Sequence, residues 1–307
     1  MDKPQIIAWL LEGDVPIQYQ VHRDLLGTDR KDLQARIAGE GWGRQFLEKR
    51  NPNGHWGERF YQPKWISTHY TLLDLRNLNL NPDNISIKKT IELILKSDKA
   101  ADGGIKLGPS TARYSDVCVN GMFLNYASYF KTDEKKLYSI ADSILHEIMP
   151  DGGFNCRTTR SGAKHSSLHS TISVLEGLFE FQKSGTTYRK KDIISAKESG
   201  EEFILTHQLF ISDRTGEIIN KDFLKMPYPC RWRYDILRAM DYFRYSDRKW
   251  DKRMEPALGV ILSKRNKYGT WNLNAAYPGK VHFKMEQTGK PSRWNTLRAM
   301  RILKHYR

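Results

Sequence analysis

Cysteine is scarce in this chain of 307 residues: there are three, Cys118, Cys156 and Cys230. Few and odd in number, they make no disulfide framework and read as thiols of a reducing compartment. No apolar run approaches the roughly 18 residues that a membrane-spanning helix needs. Residues Met1 to Glu12 hold a short apolar stretch but neither a basic lead nor a small-residue cleavage site, so they do not read as a secretory signal and a cytoplasmic protein is expected. Strand signals are few, and no stretch rich in Pro, Gly or Ser divides the chain. One all-α domain over residues 1–307 is therefore the expectation.

Aromatic residues and positive charge are plentiful. The chain has 8 Trp, 15 Tyr and 12 Phe, with 39% apolar residues, enough for a sizeable core. The formal net charge is +15, and it is unevenly spread. Residues 1–182 hold 23 Lys+Arg against 22 Asp+Glu, whereas residues 183–307 hold 27 against 13. Such a field favours an anionic partner. Nucleic acid is the less favoured one, because no helix-turn-helix, zinc-finger or RNP-type motif is present.

The sequence repeats itself. Glycines 54, 103, 152, 216 and 269 each precede an apolar residue by two places (Trp56, Ile105, Phe154, Ile218, Trp271), at spacings of 49, 49, 64 and 53 residues. Most follow a turn-forming residue, which predicts a turn with the glycine at positive φ. After each turn come a polar loop and a helix-period apolar run: Thr68 to Leu78, Asp116 to Phe130, Ser170 to Phe181, Arg233 to Phe243 and Arg293 to Leu303. Second helices are expected at Ile85 to Leu95, Glu134 to Ile148, Lys190 to Gln208 and Lys249 to Leu262. Two runs nearly coincide, Arg233-Tyr234-Asp235-Ile236-Leu237-Arg238-Ala239-Met240 with Arg293-Trp294-Asn295-Thr296-Leu297-Arg298-Ala299-Met300. The first fifty residues form a helical segment without the glycine turn; Pro16 opens a helix that Gly27 closes.

A period near fifty, a Gly-Gly-aromatic turn and helices that open with polar residues resemble the terpenoid cyclase and protein prenyltransferase superfamily, which includes the squalene cyclases. Asp151-Gly152-Gly153-Phe154-Asn155-Cys156 matches that repeat signature most closely. Segments Trp65 to Thr71, Cys118 to Gly121, His165 to Thr171 and Pro291 to Thr296 are similar to squalene-cyclase-like or prenyltransferase-like bacterial proteins. The resemblance implies an α/α toroid, two concentric rings of helices built from about five or six hairpins around a central cavity. It does not extend to squalene-type cyclisation: that chemistry uses an Asp-x-Asp-Asp acid, and the chain has no Asp-Asp pair.

Prenyltransferases of this kind hold zinc with an Asp-x-Cys at one inner helix and a His at a later one. Asp116, Cys118 and His169 occupy comparable places, so the resemblance implies a zinc site there, with Cys156 and His165 in reserve. The plain alternative is that Cys118 is a small buried apolar side chain and Asp116 a helix cap. His69, His165 and His169 stand where polar loops meet helices and are candidates for proton transfer, or equally for capping. Arg157, Arg233 and Arg293, with Trp232, Tyr234 and Trp294 beside the latter two, are candidates for holding an anionic ligand; Arg160, Lys164 and Arg231 extend that basic set. If Arg233 instead pairs with Asp235 or Asp241, the aromatics are core. The main expectation is an enzyme, of transferase or lyase type, that binds an anionic or isoprenoid-like small molecule, zinc-assisted if the metal is present. Without the metal, the same histidines suit an elimination of the polysaccharide-lyase kind. The alternative of another class is a non-catalytic peptide- or glycan-binding toroid.

Overall fold

The structure is a computed structural model that describes residues 1–107, 114–156 and 161–307. The described residues form two compact units. One comprises Met1–Lys49, Asn77–Asn81 and Thr206–Arg307, the other Arg50–Arg76 and Pro82–Leu205.

The second unit is built from hairpins in which two kinds of helix alternate. Helices α5 (Thr68–Asn77), α7 (Val117–Tyr129) and α9 (Leu168–Lys183) are buried nearly all round; in α7 every residue from Val117 to Ser128 is buried. Between them α6 (Ile85–Ser97) buries one stripe, Ile87, Thr90, Ile91 and Ile94, and α8 (Tyr138–His146) buries Ile140, Ala141, Ser143 and Ile144. Burial on all sides marks an inner helix and a single stripe marks an outer one. Helix α10 (Lys190–Thr206) follows α9. Helices α7 and α9 pack backbone to backbone: a Cβ on Gly177 would fall 2.2 Å from the Gly121 carbonyl oxygen, so both positions exclude a side chain.

The first unit holds α1 (Lys3–Leu11), α2 (Val15–Gln20, continued by a π-helical turn to Leu26), α3 (Lys31–Arg36), α4 (Gly41–Leu47), α11 (Ile236–Tyr245), α12 (Glu255–Ser263) and α13 (Arg293–Tyr306). A two-residue strand pair, Trp271–Asn272 against Pro291–Ser292, is the regular sheet among the described residues. Gly27 closes the π turn with φ 72°, the stop expected there.

All five predicted turn glycines have positive φ: 88° at Gly54, 84° at Gly103, 90° at Gly152, 71° at Gly216 and 84° at Gly269. Four of the turns are fixed in one way. The N–H of the buried apolar residue two places on donates to a polar side chain in the first turn of the next inner helix. The pairs are Trp56 to Thr68 Oγ1 (3.0 Å), Ile105 to Asn120 Oδ1 (2.9 Å), Phe154 to Thr171 Oγ1 (3.0 Å) and Trp271 to Thr296 Oγ1 (3.1 Å). A buried N–H needs such an acceptor, and this explains why the inner helices open with polar residues. In two repeats the turn aspartate adds a second tie. Asp102 accepts the N–H and hydroxyl of Ser115, and Asp151 those of Ser166. These serines crowd the second glycine of the Gly-Gly pair: a Cβ on Gly104 would lie 2.1 Å from Ser115 Oγ. The fourth repeat departs, for Ile218 is 43% exposed and its turn closes on Phe210 and Ile211 instead.

The first unit also contains a charged network. Asp24 accepts from Arg23 (2.6 Å) and Arg301 (2.9 Å), and Asp241 accepts from Arg301 Nε (2.7 Å) and Arg244 (3.1 Å). Burial would raise the Asp24 carboxyl, but the hydrogen bonds of Arg23 and the charge of Arg301 outweigh it and hold the group at about 2.

Replacing Thr171 by Val removes the hydroxyl at nearly constant shape and orphans the Phe154 N–H. Stability is expected to fall by about 1–3 kcal/mol, read as a lower urea midpoint at unchanged slope. An unchanged midpoint refutes the tie.

Candidate functional site

The candidate residues of the second unit do not gather as expected. Asp116 is buried just before α7 and makes no side-chain cap; its carbonyl accepts from Val119 and Asn120. Cys118 is buried in the first turn of α7, and His169 is half-buried in the first turn of α9. Among the described residues no three His, Cys, Asp or Glu side chains are placed to hold a metal ion. Asp116, Cys118 and His169, the set that the resemblance implied for zinc, form no such group among the described residues. Of the reserve ligands, Cys156 is half-buried with its N–H on Ser170 Oγ (3.2 Å), and His165 is exposed. Arg157 and Arg160 lie outside the described residues.

His69 is enclosed by rings. Those of Tyr70, Phe60, Tyr61 and Tyr126 lie 4.9, 5.3, 5.4 and 5.7 Å from its own. Its Nδ1 is 3.3 Å from Tyr126 Oη, and its Nε2 is buried without a hydrogen-bond partner. The side chain has no exposed surface. Burial pushes the imidazole down to about 3, so it is neutral at pH 7. Sealed from water, His69 is a core residue in this structure, and the expected part in proton transfer lacks access.

The first unit assembles a denser polar cluster, and it does so through a difference between its two near-identical segments. In α13 the first turn is capped from outside: Glu286 accepts the Arg293 N–H (2.6 Å), and Ser292 accepts that of Asn295 (3.0 Å). The helix thus begins at Arg293. In the other segment Asp235 is itself the cap, accepting the Arg238 N–H at 2.8 Å, and α11 begins only at Ile236. Arg233-Tyr234-Asp235 is loop where Arg293-Trp294-Asn295 is helix.

The side chains diverge accordingly. Arg293 donates to the Trp9 carbonyl (3.0 Å) and lies over the Trp9 ring, tying α1 to α13. Trp294 is 2% exposed and stacked on Tyr228 and Trp42, while Tyr234 is 1% exposed with its hydroxyl on the Leu209 carbonyl. These three, expected at a ligand, are spent on packing. Arg233 is different. Its guanidinium sits 4.7 Å from the Trp232 ring and 4.2 Å from that of Tyr277, and Trp232, Arg233 and Tyr277 are all half-exposed. Neither Asp235 nor Asp241 pairs with it in the way anticipated; Asp241 is held by Arg301 and Arg244.

Two residues after Arg233 comes Asp235, 1% exposed, with Oδ2 lacking a hydrogen-bond partner. Burial raises its carboxyl, opposed by the charge of Arg298 and the hydrogen bond from the Arg238 backbone. Arg238 Nη1 donates to the carbonyls of Arg233 (2.8 Å) and Arg231 (3.2 Å), locking the loop. Arg298 Nη1 is 3.6 Å from Cys230 Sγ, and burial pushes that thiol up to about 12. Cys230 is thus an unreactive thiol at neutral pH. Tyr277 is raised by its own burial and then by Asp235 and Cys230, and stays a phenol. The sequence pairs Arg238 with Arg298 in the repeated Arg-Ala-Met, a visible signal for this cluster; nothing in the pattern singles out Tyr277.

No protein-family model matches the chain, and no curated protein does. Among solved structures it is similar to a glycosyl hydrolase family 88 protein from Bacteroides vulgatus, at 14% identity over 94% of this chain and 88% of that one, with a TM-score of 0.52. A polysaccharide lyase aligns at 12% identity over 76% of this chain and 70% of that one, with a TM-score of 0.43. The fold is an α/α toroid. Its likeness is to that hydrolase and does not carry the terpenoid cyclase superfamily membership expected above. Among the described residues no helix is long and apolar enough to cross a membrane.

The buried neutral His69 has a pH signature. Its folded value lies near 3 against an ordinary 6.5, so the unfolded chain takes up the proton first. Its contribution is complete above about pH 6.5 and declines as pH falls towards 3, by about 1.4 kcal/mol per pH unit. Unfolding curves at pH 7 and pH 5 should lie closer together for His69→Phe than for the parent chain; an equal separation refutes the assignment.

Proposed function

We propose that the chain is an enzyme that cleaves a glycosidic bond in an acidic carbohydrate, with Arg233 holding the sugar's carboxylate and Tyr277 transferring the proton. The observation that carries this reading is an arginine that sits over two half-exposed aromatic rings, one of them the Tyr277 phenol on which the buried Asp235 carboxyl acts. Aromatic faces stack on sugar rings, and a guanidinium binds a carboxylate through two parallel hydrogen bonds. The excess of positive charge in residues 183–307 steers an anionic substrate to this unit. The likeness to a glycosyl hydrolase supports a carbohydrate ligand over an isoprenoid one.

Each side chain has a distinct part. Arg233 neutralises the substrate carboxylate and so acidifies the proton on the adjacent carbon; solvent at this half-exposed site takes that proton, and the electron pair it leaves forms the carbon–carbon double bond. Tyr277, kept protonated by burial and by Asp235, gives its proton to the leaving glycosidic oxygen as the C–O bond breaks. Asp235 is sealed from solvent and acts through Tyr277 and Arg298. Protonation of the leaving oxygen is common to elimination and hydrolysis. Elimination is favoured by an arginine on the carboxylate, because it stabilises the carbanion-like charge that forms beside that group.

Incubation with uronate-containing oligosaccharides and their neutral counterparts tests the reading. Cleavage of the acidic set alone is expected, with a new carbon–carbon double bond detected by ultraviolet absorbance for elimination; new reducing ends without that absorbance mean hydrolysis. Arg233→Ala should raise KM at least about tenfold, and Tyr277→Phe should lower kcat about 100-fold or more with the unfolding midpoint unchanged. No cleavage of any acidic oligosaccharide, or full activity in Tyr277→Phe, overturns it.

A further inference from the structure

Two loops of the first unit carry the proposed site, one leading into α11 and the other into α13. Arg233 lies on the first and Tyr277 on the second, with the guanidinium 4.2 Å from the ring. The Arg233 Nε is buried without a hydrogen-bond partner. A guanidinium over a ring face has no hydrogen bond to fix its direction, so the pair depends on how the two loops are set against each other.

That setting is made at Met226 and centred on Asn295. The Met226 N–H donates to Asn274 Oδ1 (2.8 Å), and the Asn274 N–H to the Met226 carbonyl (3.3 Å). Asn295 Nδ2 then donates twice, to the Met226 carbonyl of the first loop (2.8 Å) and to the Asn272 carbonyl at the base of the second (3.1 Å). Met226 comes seven residues before Arg233, and Asn274 three before Tyr277. At its other end the first loop is held by Arg238 Nη1, on the carbonyls of Arg231 (3.2 Å) and Arg233 (2.8 Å).

Asn295 has no exposed surface, and its Oδ1 is buried without a hydrogen-bond partner. Leaving a buried acceptor idle costs stability, so the residue is fitted to its place through its two donors. The two N–H bonds of a primary amide diverge within one plane and can span carbonyls of two chain segments; an ionised Asp has no donor, and Ser and Thr have one each. The repeated segment supplies the contrast. Its counterpart Asp235 is spent on capping the Arg238 N–H (2.8 Å), whereas α13 takes that cap from Ser292 (3.0 Å), which leaves the Asn295 side chain to the loops.

We propose that Asn295 is a positioning residue whose amide holds the Arg233 loop and the Tyr277 loop in the register that sets the arginine over the phenol. The inference rests on the function proposed above and adds the residue that gives its two groups one geometry. Arg233 stays under the Arg238 clasp, so loss of the Asn295 bridge displaces Tyr277 relative to it. Substrate is then still bound through Arg233, but the proton donor is out of line.

Nuclear magnetic resonance of the Arg233 side chain in the full chain reads the register without turnover, because aromatic rings displace the resonances of groups over their faces. Tyr277→Leu gives the position of those resonances without the phenol ring. In Asn295→Leu, similar in shape but without donors, they are expected to move towards that position. In Asn274→Ala, which loses only the half-buried acceptor of the Met226 N–H, they should move part of the way. Thr171→Val, in the second unit, is the control for lost stability and should leave Arg233 in place. Unmoved resonances in Asn274→Ala or in folded Asn295→Leu, or the same movement in Thr171→Val, overturn the assignment. On an acidic oligosaccharide that the parent chain cleaves, Asn295→Leu should lower kcat at least about tenfold with KM within about twofold; a raised KM at unchanged kcat overturns the role. Since the spectrum needs no substrate, the register can fail while cleavage of acidic saccharides stands, and cleavage can fail while the register holds.

Discussion

The described hairpins depend on one hydrogen bond, repeated. A chain that turns at a left-handed glycine and then buries a Trp, Ile or Phe also buries that residue's N–H. Thr68, Asn120, Thr171 and Thr296 accept it from the first turn of an inner helix. The bond joins a loop to the helix that follows it, so it fixes where the helix starts and which residues of its first turn are consumed by structure. Polar residues at inner-helix starts are accordingly of two kinds, those that hold the turns and those left for a ligand. Sequence alone does not separate them.

The same logic explains the contrast between α11 and α13. Their sequences share the Arg-aromatic-Asp/Asn opening and the Leu-Arg-Ala-Met that follows, yet Glu286 and Ser292 supply caps that start α13 at Arg293, while Asp235 caps α11 from within the shared stretch. A one-turn difference in helix start sends Arg293 to the Trp9 carbonyl and leaves Arg233 between two rings. A capping bond is worth only about 1 kcal/mol, but it decides which of two similar arginines is available for function.

The resemblance-based zinc set meets the same geometric demand. Asp-x-Cys and a later His at helix starts are compatible with a shared metal only if the helices bring them within coordination distance. Here Asp116, Cys118 and His169 form no such group. His69 fails by burial instead: its aromatic surroundings, Phe60, Tyr61, Tyr70 and Tyr126, come from two parts of the sequence and close around it.

The amino-acid order by itself determined the hairpin period, the turn glycines and the alternation of inner and outer helices, because positive φ and apolar periodicity are local properties written within a few residues. It also placed the positive charge in residues 183–307, a matter of composition. Only tertiary structure decided which polar side chains are spent on turns, that Arg233 rather than Arg293 is presented, and that Tyr277, Asp235, Arg298 and Cys230 meet. Those outcomes depend on contacts between residues tens of positions apart, where small differences in capping and burial select among side chains of the same type.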